Sequence, residues 1–315
     1  MKRRDLLQGA AAFGVLAAMP FSAAGKLLAS ARAAAAPAAD AQGKHPQARP
    51  NPLKPPAEGS IPVAFLVSEG AVVIDFCGPW EVFQDAVVLG RQDAPFQLYT
   101  VAETTRPIRA SAGLTIVPDY TLESAPAPKV IVIPAQHGRS DAMLQWIRRA
   151  SKSADVTMSV CTGAMLLAKT GLLAGKSATT HHDSYRTFAM EFPDVRLRRG
   201  ARFVEDGNLA SAGGLSSGMD LALRVVERYY GRDAAVKTAD YMEYQGQGWL
   251  NPNSNAAYAV ARVSTDAHPL CPVCTMDVDP KTAPKSVYKG KTYYFCTTDH
   301  KTIFDAAPAR FMDAG

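Results

Sequence analysis

One cysteine stands where a buried strand is expected to give way to a helix. Residues 156–160 read VTMSV, a short apolar run typical of a strand inside a sheet, and small residues follow at 162–164. In α/β proteins ligands collect at the carboxyl ends of strands, and the free N–H groups at a helix start stabilise a thiolate. Cys161 is therefore a candidate nucleophile with a lowered pKa. A buried, inert cysteine is the alternative interpretation, because unpaired cysteines are common in cores.

A second group of reactive side chains lies far along the sequence. Cys271 and Cys274 are spaced as Cys-x-x-Cys, and Cys296 and His300 form a second pair after the hairpin-like stretch VYKGKTYYF. Two such pairs supply four soft ligands for one ion, and the mixture of thiolates and imidazole suits zinc or copper. We therefore expect a transition-metal ion here. A Cys271–Cys274 disulfide is the alternative in an oxidising compartment.

The first 36 residues have the pattern of an export signal rather than of a folded domain. Arg3 and Arg4 precede an Ala-rich apolar run and the small-residue stretch AAAAPAAD, which offers Ala-x-Ala cleavage sites. The paired arginines resemble the twin-arginine signal, which predicts a periplasmic protein that is not membrane-anchored after cleavage. Cleavage would remove five positive charges and one negative charge, so the formal charge of +5 falls to about +1. We therefore expect no nucleic-acid partner.

The remaining sequence predicts one large α/β domain followed by a small module. The apolar runs IPVAFLV and KVIVIPA have the composition of strands covered on both faces. FQLYTVA is a further expected strand, and the strands alternate with helical stretches. One helix is expected from Gly78 to about Gly90, and another has Ser140 as its N-cap. This order predicts a doubly wound parallel sheet. The predicted segments are a signal peptide at 1–36, a Pro-rich linker at 37–59, the α/β domain at 60–235, a connecting segment at 236–267 and the metal-binding module at 268–315.

Four segments resemble, in chain order, the ThiJ/PfpI superfamily. They read VIDFCGPWEVF, VIVIPA, SVCTGAMLLAKTGLLAGKSATTHH and ASAGGLSSGMDLALRVVE, and the resemblance covers roughly residues 60 to 232. The closest branch is similar to isonitrile hydratases and to the sensor domains of some AraC-type regulators. The resemblance implies a flavodoxin-like fold and Cys161 as the nucleophile.

The same resemblance implies roles for three more residues. Asp75, in an Asp-x-x-Gly-Pro turn, matches an acidic residue near the cysteine, where it can pass on a proton. We expect Asp75 to end the first strand; capping the helix near Gly78 is its other role, and Glu81 is a rival acid. Thr162 replaces the histidine of the protease-like branch, which speaks against peptidase chemistry, and His181 matches the family's Thr-His.

The turn after the strand KVIVIPA is the expected place for an oxyanion site in this fold. Amidotransferases carry a Gly-Gly turn there, whereas this sequence reads PAQHG at residues 134–138. The donors would be the N–H groups of Ala135 or Gln136. The departure from the Gly-Gly turn weakens the case for acyl chemistry.

The C-terminal segment resembles a YHS domain, a small metal-binding module, from Cys271 to Phe311. The second ligand pair of that family is usually Cys and Cys, so His300 is a departure from its pattern. A module this short has little core of its own, and metal binding is therefore also expected to fold it.

Two function hypotheses follow. In the first, an exported enzyme uses the Cys161 thiolate to attack an isonitrile-like carbon, Asp75 protonates the adduct, and water releases an N-substituted formamide. The isonitrile is implied by the resemblance alone. In the second, a non-enzymatic periplasmic protein handles copper or zinc, or senses redox state through Cys161. The expected partners are a small-molecule substrate and a metal ion, with a homodimer left open; the predicted export argues against transcription regulation.

Overall fold

The computed structural model describes residues 51–260 and 263–312. The predicted signal peptide and residues 37–50 of the predicted linker lie outside the described residues. In the described part of the chain, no helix has the length and the apolar character needed to cross a membrane.

A mostly parallel sheet forms the centre of the α/β body. In the described part of the chain it has seven strands in the order β10-β11-β7-β6-β1-β2-β5, in which only the β10–β11 pair is antiparallel. Its central strands are buried on both faces, as their continuous apolar sequences predict. The strands are β1 Ile61–Leu66, β2 Phe96–Ala102, β5 Tyr120–Thr121, β6 Val130–Ile133, β7 Val156–Val160, β10 Phe203–Asp206 and β11 Leu209–Ala212.

Helices cover both faces of this sheet. Helices α1, α5 and α6 enclose one hydrophobic core with Phe65, Val132 and Val160, and helices α2, α3 and α4 enclose a second core on the other face. The helices are α1 Val73–Gln84, α2 Asp141–Ala150, α3 Gly163–Lys169, α4 Tyr185–Glu191, α5 Ser217–Tyr230 and α6 Arg232–Tyr241. The expected doubly wound α/β fold is confirmed, as is Ser140 as an N-cap, since its hydroxyl accepts the Met143 N–H at 3.2 Å.

Short paired strands lie outside the main sheet. Two two-residue pairs decorate the α/β body: β3 Ile108–Arg109 with β4 Thr115–Ile116, and β8 Ser177–Ala178 with β9 Arg196–Leu197. In the C-terminal module, β12 Lys285–Tyr288 and β13 Lys291–Tyr294 form an antiparallel hairpin, followed by helix α7 Thr298–Ala306. The expected hairpin at VYKGKTYYF is present because Lys289 and Gly290 both adopt positive φ, as a tight two-residue turn requires.

One element boundary differs from the sequence prediction, and contacts or a helix cross two of the predicted segment boundaries. Helix α1 begins at Val73, five residues before the expected start at Gly78. Pro79 lies inside this helix rather than at its first turn. The end of the predicted linker packs on α5, where Leu53 N–H donates to Arg228 O at 2.7 Å. Helix α6 continues across the predicted domain boundary at residue 235, and Trp249 still belongs to the core of the α/β body.

Candidate active site and metal centre

Cys161 lies on a sharp turn between β7 and α3. Its φ is +57°, which lies in the left-handed region. Residues other than glycine rarely adopt this conformation, and those that do are found mostly at functional sites. Its N–H donates to Gly213 O, at the end of β11, at 2.9 Å. A Cβ at Gly163 would lie 2.2 Å from the carbonyl oxygen of Ile133, so only glycine allows α3 to start so close to β6. The strand, turn and small residues of the sequence thus build the geometry of a nucleophile elbow.

The sulfur of Cys161 faces several hydrogen-bond donors. The N–H and the hydroxyl of Thr162 and the N–H of Leu215 all interact with the Cys161 side chain. Leu215 itself has a φ of +49°, which is also in the left-handed region. Thr180 Oγ1 donates to the Cys161 carbonyl at 3.0 Å and so fixes the turn from the opposite side.

The side chain of Cys161 is only 8% exposed, and this burial changes its acidity. Burial, and next the charge of Asp75, raise the pKa of the Cys161 thiol to about 12, while the donors from Thr162 and Leu215 lower it by less. The expectation of a lowered pKa is therefore wrong for the free protein. The start of α3 does not compensate for the loss of water around the sulfur.

Asp75 is fully buried and is the carboxyl group beside the nucleophile. Its Oδ2 accepts the Ala135 N–H at 3.1 Å, and its side chain interacts with that of Cys161. Burial raises the pKa of Asp75 to about 6, and these hydrogen bonds lower it only in part. Asp75 therefore changes its protonation state near neutral pH, as a group that exchanges protons during a reaction should.

One detail of the prediction for this region is wrong, and one of its two candidate oxyanion donors is already bonded. Asp75 does not end the first strand: it lies in the first turn of α1, one loop beyond β1, and the N-cap position belongs to Val72. The Ala135 N–H is already bonded to Asp75 and is not a free oxyanion donor. The side-chain amide of Gln136 donates to Leu66 O at 3.0 Å and holds this turn against β1.

His181 lies beside the loop that carries Leu215. A Cβ at Gly214 would lie 2.4 Å from Cδ2 of His181, so the imidazole packs directly on that glycine. Its Nδ1 accepts the Asp183 N–H at 3.3 Å, and its ring stacks on His182 with centroids 4.5 Å apart. Burial and next the neighbouring His182 lower the pKa of His181, which favours the neutral imidazole. The structure thus places His181 against the backbone that borders Cys161.

Sequence reasoning missed the residues that hold the Leu215 loop. Asp220 is fully buried and pairs with Arg202, whose Nε lies 2.6 Å from Asp220 Oδ2. Arg202 also donates to Ser216 Oγ at 3.0 Å, and Trp249 N–H donates to Asp220 Oδ1 at 2.9 Å. The pair braces the loop next to Leu215. A charged residue in a helix with an apolar face gives no sequence signal for such a role.

In the C-terminal module, the four predicted metal ligands converge. The ligand atoms of Cys271, Cys274, Cys296 and His300 all lie within 4.8 Å of one another. The Cys274 and Cys296 sulfurs are 3.4 Å apart, and His300 Nδ1 lies 3.1 Å from Cys296 Sγ and 3.7 Å from Cys271 Sγ. When four donor atoms each lie about 2.0–2.3 Å from one tetrahedral ion, the donor atoms are separated from one another by distances close to those measured here. The donor set therefore fits a metal of that type.

Local structure positions each half of this metal-ligand cluster. Cys271 and Cys274 lie in a tight turn in which Thr275 N–H donates to Cys271 O at 2.7 Å. Cys296 immediately precedes α7, and His300 lies in the first turn of that helix, where Thr297 caps its N–H at 3.2 Å. Hydrogen bonds from Cys274 and next from His300 lower the pKa of Cys271. All the cysteine thiols among the described residues are free, as metal ligation requires.

A doubly wound α/β sheet with a cysteine on a strand-to-helix elbow, next to a buried carboxyl, defines a class of flavodoxin-like proteins with a thiol site. The DJ-1/PfpI family model matches residues 62–228, and this chain belongs to that family. A YHS domain is matched at residues 271–314, over the four converging ligands.

Individual relatives support the same assignment. The chain is 32% identical over 194 residues to an isonitrile hydratase of Pseudomonas putida, a match that covers 59% of this chain and 79% of that protein. It is 26% identical to the HTH-type transcriptional regulator CdhR of Pseudomonas aeruginosa over 56% of this chain and 53% of the regulator. Among solved structures, a ThiJ/PfpI family protein from Pseudomonas syringae matches with a TM-score of 0.53 and 27% identity, over 60% of this chain and 77% of that one.

Proposed function

We propose that the protein is a cysteine-dependent enzyme that hydrates isonitrile-like small molecules to N-substituted formamides. The observation that carries the proposal is the buried pair of Cys161 and Asp75 on two different elements at the carboxyl edge of the sheet. The relative named isonitrile hydratase, 32% identical over 194 residues, supports the substrate class.

The first step joins the sulfur to the terminal isonitrile carbon. The Cys161 thiol has a pKa of about 12 and the Asp75 carboxyl has a pKa of about 6. Complete transfer of the proton from the sulfur to the carboxylate before attack would therefore cost about 8 kcal/mol. The Asp75 carboxylate therefore removes the thiol proton while the sulfur–carbon bond forms. The same carboxyl then delivers that proton to the carbon, which gives a neutral thioimidate.

The second step returns the enzyme to its resting state. Water adds to the thioimidate carbon, the nitrogen takes up a proton, and the carbon–sulfur bond breaks to release the N-substituted formamide. The sulfur regains one proton, so the net reaction consumes one isonitrile and one water. The N–H groups of Thr162 and Leu215 stabilise negative charge on the sulfur as it forms and leaves. His181 is the candidate for exchanging protons with the thioimidate nitrogen, which remains in the formamide.

The test is formamide production from simple alkyl isonitriles by the full chain, followed by proton NMR. Cys161→Ala and Asp75→Asn should each abolish turnover, whereas Cys77→Ala should leave it unchanged because Cys77 is a half-buried thiol on α1 outside the site. Turnover that survives in Cys161→Ala would refute the nucleophile assignment.

A second candidate function is favoured by one observation: the ligand atoms of four side chains converge in the C-terminal module. The chain would then be a non-enzymatic protein that handles zinc or copper through the C-terminal module. Cys271, Cys274, Cys296 and His300 would hold the ion, which would supply a thiolate-bound centre for transfer or sensing. Purified chain should bind one Co(II), with loss of binding in His300→Ala and retention in His268→Ala, an exposed matched control.

Export to the periplasm is part of the proposal and is supported by the sequence alone. Arg3 and Arg4 and the Ala-rich run that follows them carry it. Replacing both arginines by lysine should leave the precursor inside the cell, as cell fractionation would reveal. The exclusion of nucleic acid stays a prediction, as does the homodimer.

A further inference from the structure

Helix α4 of the α/β body is in direct contact with the C-terminal module. Thr187 Oγ1 donates to the Val273 carbonyl, inside the Cys-x-x-Cys turn, at 3.2 Å. Arg186 donates through Nη2 to the Phe311 carbonyl, and its guanidinium lies over the Phe311 ring, 6.0 Å from the ring centroid. Met190, one turn further along α4, packs on the module's hydrophobic cluster. One short helix thus supplies three neighbouring contacts to the module.

Arg186 also lies beside the metal-ligand cluster. Arg186 and Cys271 line the same cavity, of about 690 Å³, between α4, the Cys-x-x-Cys turn and the β12–β13 hairpin. Burial lowers the pKa of the Arg186 guanidinium, and the nearby charge of Cys271 opposes this shift in part. Cys271 is fully buried and Arg186 is half-buried, so the pair is screened less than two charges on the open surface would be.

The charges of the ligands and of Arg186 determine how this arrangement affects a bound ion. Three thiolates, a neutral imidazole and a divalent cation give a centre with a net charge of about −1. A fixed cation close to such a centre in a poorly hydrated environment lowers its free energy. Arginine suits the position because its guanidinium stays protonated and can hold its planar contacts to the Phe311 carbonyl and ring at the same time.

We propose that Arg186 of the α/β body is an outer-sphere residue of the metal centre, where it balances the charge of the thiolate ligands and raises the affinity for a divalent ion. The inference rests on the proposed metal binding by the module. It means that the metal centre is completed across two parts of the chain, and it gives a physical reason for their fusion.

The test measures Zn(II) and Co(II) affinity of the full chain by competition with a chromophoric chelator. Arg186→Met should weaken both ions about tenfold, the lower end of the effect seen for outer-sphere partners of metal ligands. Arg186→Lys keeps the charge and should weaken both ions less than Arg186→Met does. Arg199→Met is the matched control, because Arg199 lies over the Tyr185 ring of the α/β body.

The Co(II) absorption spectrum separates this role from a purely structural one. Arg186→Met should reach, at saturation, the same thiolate-to-cobalt band and the same tetrahedral d–d bands as the unmodified chain, because the ligands are unchanged. Equal affinity of Arg186→Met and the unmodified chain would overturn the proposal. Equal weakening in Arg186→Lys and Arg186→Met would overturn the charge assignment. If the unmodified chain bound neither ion, the proposed metal function would fail as well, so the two failures are distinguishable.

Discussion

At the scale of single residues, the sulfur of Cys161 and the carboxyl of Asp75 oppose each other's ionisation. Both groups are buried, and the negative charge of Asp75 is one of the two causes that raise the pKa of Cys161 to about 12. The site therefore holds one readily exchanged proton near neutral pH, on Asp75, and one tightly held proton on the sulfur. Such a pair favours chemistry in which proton transfer accompanies bond formation.

Removing the charge of Asp75 should make Cys161 more acidic. In Asp75→Asn the carboxylate no longer opposes the thiolate, so the pKa of Cys161 should fall below its value of about 12 although burial remains. Thiolate absorbance near 240 nm and the pH dependence of iodoacetamide alkylation measure this shift. Glu81→Gln, on the exposed side of α1, is the matched control and should leave the titration of Cys161 unchanged. An unshifted titration in Asp75→Asn would mean that Asp75 carries no charge beside the sulfur.

The same carboxyl should destabilise the fold at neutral pH. Its pKa is raised from 3.8 to about 6, so the folded chain binds the proton more tightly than the unfolded chain, and stability falls as pH rises through this window. The penalty is complete above pH 6 and amounts to about 3 kcal/mol. Urea unfolding of Asp75→Asn should show a gain of this order at pH 7.5 and about half of it at pH 5. A gain that does not depend on pH would contradict the raised pKa.

Some of these residue properties were accessible from sequence and others were not. Cys161 and the four metal ligands stand in recognisable spacings, and the structure brings each ligand set together. The pKa of Cys161 was predicted to be lowered, whereas it is raised. The sequence shows the helix that starts beside the cysteine but not the burial of the thiol, which is the larger effect. The donor from Leu215 lies 54 residues further along the chain, and no local pattern marks it.

At the scale of elements, the elbow depends on how closely α3 approaches β6. Gly163→Ala would place a methyl group 2.2 Å from the Ile133 carbonyl, which belongs to a buried strand and has no room to move. We expect a loss of about 3 kcal/mol in the free energy of unfolding, together with displacement of Cys161 and loss of turnover.

A second glycine, on helix α5 at the other face of the sheet, provides the matched comparison for that substitution. At Gly218 of α5, an added Cβ would meet the methyl groups of Val160 at 3.0 Å and Cγ of Pro79 at 3.2 Å, which are side-chain rather than backbone atoms. Gly218→Ala should therefore cost about 1 kcal/mol and retain the thiol site. Urea unfolding and Cys161 alkylation rates measure both variants; equal losses in the two would refute the special role of the α3 approach.

The elements themselves were predictable to the extent that their apolar patterns are strong. KVIVIPA is observed as β6 over Val130–Ile133, since an uninterrupted apolar run suits a strand covered on both faces. The start of α1 was misplaced because Gly78 and Pro79 are typical of helix boundaries, whereas here they pack inside the helix against α5. The antiparallel edge strand β10 and the two-residue strands depend on tertiary pairing, which a local pattern does not encode.

At the scale of the whole molecule, the module has a core of its own that is very small. Its buried hydrophobic cluster is separate from the two cores of the α/β body and includes two of the ligand cysteines. The other members are Val273, Phe295, Phe304 and Phe311. A cluster of this size contributes little to stability, so the free energy of metal binding should supply much of the module's stability.

Metal removal should therefore unfold the module and leave the α/β body folded. Calorimetry of the metal-loaded chain should show a module transition that moves to lower temperature as chelator is added, because an ion that binds only the folded state stabilises it by mass action. The transition of the α/β body, whose two cores contain no metal ligand, should stay in place. His300→Ala should mimic the chelator, and exposed His268→Ala should not. A single transition that shifts as a whole would instead show that the contacts of Arg186 and Thr187 couple the two parts into one cooperative unit.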